Sequence, residues 1–217
     1  MPLLLQESLA PETQLLVWNI AEDGNWFRSQ LQLDDRENAL IDAIKNPKRK
    51  LHWLSSRLLI RLALDNPDTF IHLENDSSGK PVIHNFPANI SISHSENLSA
   101  LLISQHFEVG VDIEKPDAKI ERIKEKFLHH DELATIREPN RLEKLSLYWC
   151  VKEAMYKLYG RKQLAFKSNL LVHSFEYNKE GRIDGVIQKE DFILNLDIYY
   201  RHLNNHLMAY TISDYRS

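Results

Sequence analysis

Two short segments carry the residues best suited to chemistry. In Val109-Gly110-Val111-Asp112-Ile113-Glu114, apolar residues alternate with polar or small ones, the period of a strand, so Asp112 and Glu114 project from one face. In Trp149-Cys150-Val151-Lys152-Glu153-Ala154-Met155-Tyr156-Lys157 the pattern is helical, and Glu153 and Lys157 sit one turn apart on one stripe. If strand end and helix converge, three carboxylates surround one point with an ammonium beside them. Hard oxygen ligands next to a cation are what a magnesium–diphosphate site requires, so phosphoryl chemistry is the leading expectation. Each pair also has a plain alternative: acidic residues at a strand end facing solvent, and a helix-surface ion pair worth about 0.3–0.5 kcal/mol.

The elements that must position these residues can be read from periodicity. Thr13 to Ile20 reads as an opening strand, followed by a polar turn at Glu22-Asp23-Gly24-Asn25 and a helix over about Asp34 to Lys45. A second helix runs from Lys48 to Leu64, with Leu51, Leu54, Leu58 and Leu62 at three- and four-residue steps, Arg57 and Arg61 on its basic face, and Asn66-Pro67 as its stop. After Ile71-His72-Leu73 and a turn at Asp76-Ser77-Ser78-Gly79, three strands (Asn89–Ser93, Leu98–Ile103, Glu108–Ile113) read as a meander with short connections. The chain turns helical from Ile120 to Leu128. Asn140 with Glu143 resembles a capping box opening the long helix that Gly160 closes. The last third is β, ending in a hairpin whose turn is Asn204-Asn205. Helices and short antiparallel strands in both halves predict the α+β class.

With 217 residues and 43% apolar content, the chain can bury one generous core or two small ones. A formal net charge of -4 gives no global attraction to nucleic acid or acidic membranes, so an acidic partner needs a local basic patch. Cys150 is the single cysteine and has no internal partner, and the first residues show neither a basic stretch nor a long apolar run. The expectation is a cytoplasmic protein without a membrane span.

Further candidates lie outside the two segments. Lys80 follows Gly79 and precedes Pro81, a tight turn that keeps the lysine out of a helix and lets it reach a phosphate. The alternative is a plain turn with a solvated lysine. In Ser91-Ile92-Ser93-His94-Ser95 the serines share one strand face and His94 opens the next turn; hydroxyls and an imidazole there could bind an anion, or form an ordinary hydrogen-bonded turn. His129 and His130, adjacent in sequence, are expected to face different ways on a helix, and nothing predicts zinc. No Walker A, G-x-G-x-x-G or G-x-S-x-G motif occurs, which removes the usual sequence support for P-loop, dinucleotide and α/β-hydrolase chemistry.

Gly79-Lys80-Pro81, Ile92-Ser93-His94-Ser95, Gly110-Val111-Asp112-Ile113-Glu114 and Trp149-x-x-Lys152-Glu153-Ala154-x-x-Lys157 occur in this order. In that combination the chain, from about Asp34 onward, resembles the Sfp-type 4'-phosphopantetheinyl transferases. The resemblance implies two similar α+β halves, each a small antiparallel sheet with packed helices, meeting at a cleft. On this chain they would be residues 1–106, with the coenzyme A-binding motifs, and residues 107–217, with the metal site. By resemblance, Asp112, Glu114 and Glu153 would hold magnesium, Lys157 would neutralise the diphosphate, and Lys80, Pro81, Ser93 and His94 would contact the nucleotide end of coenzyme A. The implied reaction, of the holo-[acyl-carrier-protein] synthase type, moves phosphopantetheine from coenzyme A to a serine of an acyl or peptidyl carrier protein. Glu153 or a water on the metal would take the serine proton. A monomer is expected, since both halves lie in one chain.

One stretch departs from the family pattern. Leu33-Asp34-Asp35-Arg36-Glu37-Asn38 offers Arg36 alone where basic residues for the 3'-phosphate are often found, leaving Lys48, Arg49 and Arg57 as alternatives. Lys119, Arg122 and Lys126 recur at helical steps after the Asp-x-Glu strand and are candidates for docking an acidic carrier. The same carboxylates would also suit another magnesium-dependent enzyme acting on a diphosphate, or a non-catalytic coenzyme A or carrier-binding module.

Overall fold

Leu15-Leu16-Val17-Trp18 is apolar at every position because the strand it forms is covered on both faces: Leu16 and Trp18 belong to one core, Leu15 and Val17 to another. A computed structural model describes residues 2–65, 70–137, 139–161 and 164–215. It contains two antiparallel sheets. The first, in spatial order β1-β2-β6-β5-β4-β3, comprises β1 (Leu3–Ala10), β2 (Thr13–Asn19), β3 (Leu73–Asn75), β4 (Pro81–Ile83), β5 (Asn89–Ser95) and β6 (Leu98–Ser104). The second, in order β7-β11-β10-β9-β8, comprises β7 (Glu108–Glu114), β8 (Leu170–Val172), β9 (Glu180–Lys189), β10 (Phe192–Leu203) and β11 (His206–Ser213).

Helices α1 (Gly24–Gln30), α2 (Asp35–Ala43) and α3 (Pro47–Ala63) accompany the first sheet, with α3 packed on β2 and β6. A 3₁₀ turn (Ala118–Arg122), α4 (Lys124–Phe127), α5 (His130–Ala134), α6 (Arg141–Tyr159) and α7 (Phe166–Asn169) accompany the second, with α6 packed on β7 and β11. Three cores result. One lies between α1–α3 and the first sheet, one between α6 and the second, and a central one joins the sheets through Leu15, Val17, Leu98, Ala100, Leu102, Val109, Val111 and Ile113. The class is α+β, as the sequence predicts, and among the described residues no helix is long and apolar enough to cross a membrane.

The expected three-strand meander is not what forms. β5 and β6 make a hairpin, but β7 leaves that sheet and pairs with β11, Asp112 opposite Ala209. Its other edge meets β5 through side chains: the hydroxyl oxygens of Ser91, Ser93 and Ser95 accept the amides of Val111 (2.9 Å), Ile113 (3.3 Å) and Lys115 (3.0 Å). Serine at every second position presents one hydroxyl per pleat, so a seam of side-chain acceptors replaces strand pairing and satisfies the buried amides.

Other differences have local causes. The polar turn at Glu22–Asn25 opens α1 instead, since the Asp23 carboxylate accepts the Trp26 amide at 2.9 Å; an aspartate suits a turn and a helix N-cap equally. The predicted helix from Ile120 to Leu128 breaks at Ile123 into the 3₁₀ turn and α4. Asn140 makes no side-chain cap, and a reach-back of the capping-box kind occurs at α5, where Glu132 accepts the His129 amide at 2.7 Å. Gly160 closes α6 at φ 67°, as expected. The Asn66-Pro67 stop lies outside the described residues.

Candidate active site

Gly110 lets α6 approach β7 closely, because a Cβ there would stand 2.0 Å from the Ala154 carbonyl oxygen. Asp112, two residues along the same face, is thereby brought against the turn of α6 that carries Glu153 and Lys157. Asp112 is 3% exposed. Oδ1 accepts from the Lys157 ammonium at 2.7 Å and from the Ser93 hydroxyl at 2.7 Å, while Oδ2 is buried without a hydrogen-bond partner. Lys157 also donates to the Val111 carbonyl at 3.1 Å.

Glu114 and Glu153 complete the group, both half-buried. Burial, then the charge of Asp112, pushes the Glu114 carboxyl up to about 7, against a hydrogen bond from the Trp149 indole at 3.3 Å. Burial and Asp112 push Glu153 up to about 7 as well, opposed by Lys157. Burial and the Asp112 charge thus disfavour ionisation of Glu114 and Glu153 despite Lys157, and one buried oxygen of Asp112 lacks a donor. A divalent cation with a preference for oxygen would relieve both, and the donor set of Asp112, Glu114 and Glu153 suits magnesium in its chemistry, although among the described residues the group whose ligand atoms already lie within 4.8 Å of one another is His129, His130 and Asp131.

The residues expected at the nucleotide end surround two hollows that share Pro81 and Ile92. The larger, about 760 Å³, lies between α3 and β5 and is lined by Arg36, Arg49, His52, Trp53, Ser56, Arg57, Pro81 and His94 among others. His94 stacks on His52, with centroids 4.8 Å apart and planes 12° from parallel, and its Nε2 lies 2.7 Å from Ser56 Oγ. Burial, then the nearby His52 and Lys157 charges, push the His94 imidazole down to about 3, so it offers stacking and hydrogen bonding without charge. Arg57 lies over Trp53, 3.2 Å from the ring centroid, and its Nε is 3.5 Å from Glu37. Burial lowers the guanidinium to about 10, which leaves it cationic. Lys48 is not among the lining residues; Arg36 is, and pairs with Glu74.

The smaller hollow, about 200 Å³, is lined by Lys80, Pro81, Tyr156, Lys157 and Arg161 among others. Gly79 turns the chain at φ 89°, and the Lys80 ammonium bonds Glu108 at 2.6 Å. Ser93 faces away from both hollows' linings, toward Asp112.

Three findings were not foreseen. His52 and Trp53 line the cleft from α3; the spacing of His52 and Ser56, four apart and away from Leu54 and Leu58, was the available signal. Lys152, inside the Lys-Glu-Ala motif, points away from the site into the core, onto Glu132. His129 and His130 do not face apart: His129 precedes α5 with ψ 159°, the rings lie 4.1 Å apart, and with Asp131 they form a group whose ligand atoms lie within 4.8 Å of one another. Lys119 and Arg122 sit on the 3₁₀ turn and Lys126 on α4, all exposed, and Lys119 pairs with Asp117 at 3.3 Å.

Residues 108–211, which hold Asp112, Glu114, Glu153 and Lys157, match the family model of the 4'-phosphopantetheinyl transferase superfamily. The 4'-phosphopantetheinyl transferase gsp of Aneurinibacillus migulanus is 30% identical over 142 residues, covering 62% of this chain. The match spans 59% of that relative's length. Over the stretch that holds the site's four central residues, the chain is thus similar to the 4'-phosphopantetheinyl transferase superfamily.

Proposed function

We propose that the protein transfers 4'-phosphopantetheine from coenzyme A to a serine hydroxyl of an acyl or peptidyl carrier protein, releasing adenosine 3',5'-bisphosphate. The observation that carries this reading is the unpartnered Oδ2 of Asp112 beside two carboxyls held near 7 and a lysine. Asp112, Glu114 and Glu153 would hold Mg²⁺, which when bound supplies charge against the diphosphate and its leaving oxygen. Lys157 exchanges its bond to Asp112 for the same diphosphate. Glu153, or a water beside it, takes the serine proton.

The nucleotide end lies in the α3–β5 cleft, against His94, Arg57 and Pro81, with Lys80 reaching the phosphates from the adjoining hollow. Arg36, Arg49 and Arg57 are the cleft's candidates for the 3'-phosphate. In this reading residues 1–106 hold the nucleotide and residues 107–217 the metal, a monomer suffices, and a single buried thiol, Cys150, suits the cytoplasm.

Incubation with coenzyme A, Mg²⁺ and an apo carrier protein, followed by the carrier's intact mass, tests the reaction. Addition of one phosphopantetheine is expected; cleavage of coenzyme A without addition would instead favour hydrolysis of the diphosphate. Asp112→Ala and Glu153→Ala are each expected to lower transfer at least about a hundredfold with native circular dichroism, because each removes a metal ligand and neither belongs to a core. Near wild-type turnover of either variant at limiting Mg²⁺ would refute the three-carboxylate site.

A further inference from the structure

Ser91, Ser93 and Ser95 each accept one amide of β7, yet Ser93 does something more. Having accepted the Ile113 amide, its hydroxyl donates to Asp112 Oδ1 at 2.7 Å. Both residues are buried, Ser93 6% and Asp112 3% exposed, so water does not compete for this bond. The lysine donor on the same oxygen belongs to a side chain that is 26% exposed and can move. The serine is fixed in a strand and doubly bonded. Oδ1 is therefore committed, the carboxylate plane is set, and Oδ2 alone is left open.

We propose that Ser93 is a positioning residue for Asp112: its hydroxyl orients the carboxylate so that Oδ2 is presented to the divalent cation, and holds it when Lys157 turns to the diphosphate. This rests on the magnesium reading given above. It differs from a nucleotide contact, the role that family resemblance implies for Ser93, in what its loss should change. A ligating carboxylate that loses its outer hydrogen bond binds metal about 10–100-fold more weakly. A serine that touched only the nucleotide would instead alter the affinity for coenzyme A.

The probe is Mn²⁺, titrated into the full chain with and without coenzyme A and followed by electron paramagnetic resonance. Ser93→Ala is expected to weaken Mn²⁺ binding about 10–100-fold. Ser91→Ala, which loses the same kind of amide acceptor without touching a carboxylate, is expected to stay within about twofold of wild type, since its amide bond lies outside the ligands' own hydrogen bonds. Equal Mn²⁺ affinity of the two variants, with Asp112→Ala deficient, would overturn the positioning role and leave the metal site standing. Undiminished binding by Asp112→Ala would overturn the metal site and this inference with it. If Ser93→Ala melts well below Ser91→Ala, Ser93→Thr serves in its place; it keeps the hydroxyl, and must bind Mn²⁺ as wild type does or the inference fails.

Discussion

Lys152 and Lys157 stand five residues apart on one helix, each paired with a carboxylate at 2.7 Å, and they make opposite kinds of site. The Lys152 ammonium is 0% exposed and gives its three protons to Glu132, the Phe127 carbonyl (2.8 Å) and the Phe166 carbonyl (3.1 Å). Glu132 is as fully engaged, taking the amides of His129 at 2.7 Å and Val172 at 2.9 Å. That pair is closed, tying the end of α4, the start of α7 and the end of β8 to α6. Around Lys157 the partner carboxylate keeps an idle oxygen, and two neighbouring carboxyls are lifted to about 7. Motif membership does not separate the two lysines; the completeness of their hydrogen bonding does.

Removing the closed pair's cation should have the largest effect on stability. Lys152→Ala leaves Glu132 buried and uncompensated and is expected to cost about 3–5 kcal/mol in chemical denaturation. A loss below about 1 kcal/mol, the scale of an exposed pair, would erase the distinction.

Lys157→Ala should destabilise by roughly 1–2 kcal/mol, because Asp112 retains its serine donor and water reaches a partly exposed site. Its cost falls on catalysis: turnover in the transfer assay is expected to fall more than coenzyme A affinity, as suits a charge that acts while negative charge builds on the diphosphate. Unchanged turnover would return Lys157 to the status of an ordinary ion pair.

The third effect is a pH dependence at the open site, carried by Glu114 and Glu153 beside the Lys157–Asp112 pair. With Glu114 and Glu153 raised from 4.5 to about 7, these two groups hold more protons in the folded chain without metal than in the unfolded chain between those values, while His94, held down to about 3 from 6.5, acts in the opposite sense over the lower part of that range. The stability that Glu114 and Glu153 contribute therefore falls as pH rises through that window, most clearly above pH 6.5 where His94 no longer offsets it. Added Mg²⁺ should raise the melting temperature at pH 8 and do little at pH 5, where the ligands are protonated. Thermal melts at the two pH values decide it, and an equal Mg²⁺ shift at both would contradict the raised carboxyls.

Much of this arrangement was legible because it is local. The alternation that puts Asp112 and Glu114 on one face, the helical step from Glu153 to Lys157, the glycine that ends α6 and the terminal hairpin all depend on neighbours a few residues away. What was not legible depends on distant partners. β7 reads as the third strand of a meander until its pairing with β11, almost a hundred residues later, is known. Lys152 and Lys157 look alike until Glu132 and Asp112 distinguish them. The serines of β5 read as an anion-binding face because hydroxyls do not reveal whether an anion, an amide or a carboxylate will meet them.

The seam between β5 and β7 has one more consequence. A strand with open amides is a template for another chain, and proteins usually guard such edges with lysine, proline or a bulge. Val109 to Ile113 contains none of the first two, and its outward amides are guarded by hydroxyls borrowed from the other sheet. At the far end, β8 is only three residues long, a poor template. The second sheet is thus protected from self-association only while the two sheets are docked. A chain whose halves have come apart, during synthesis or after loss of these serines, would expose an apolar strand ready to recruit another copy, so the residues that join the halves also keep the protein dispersed.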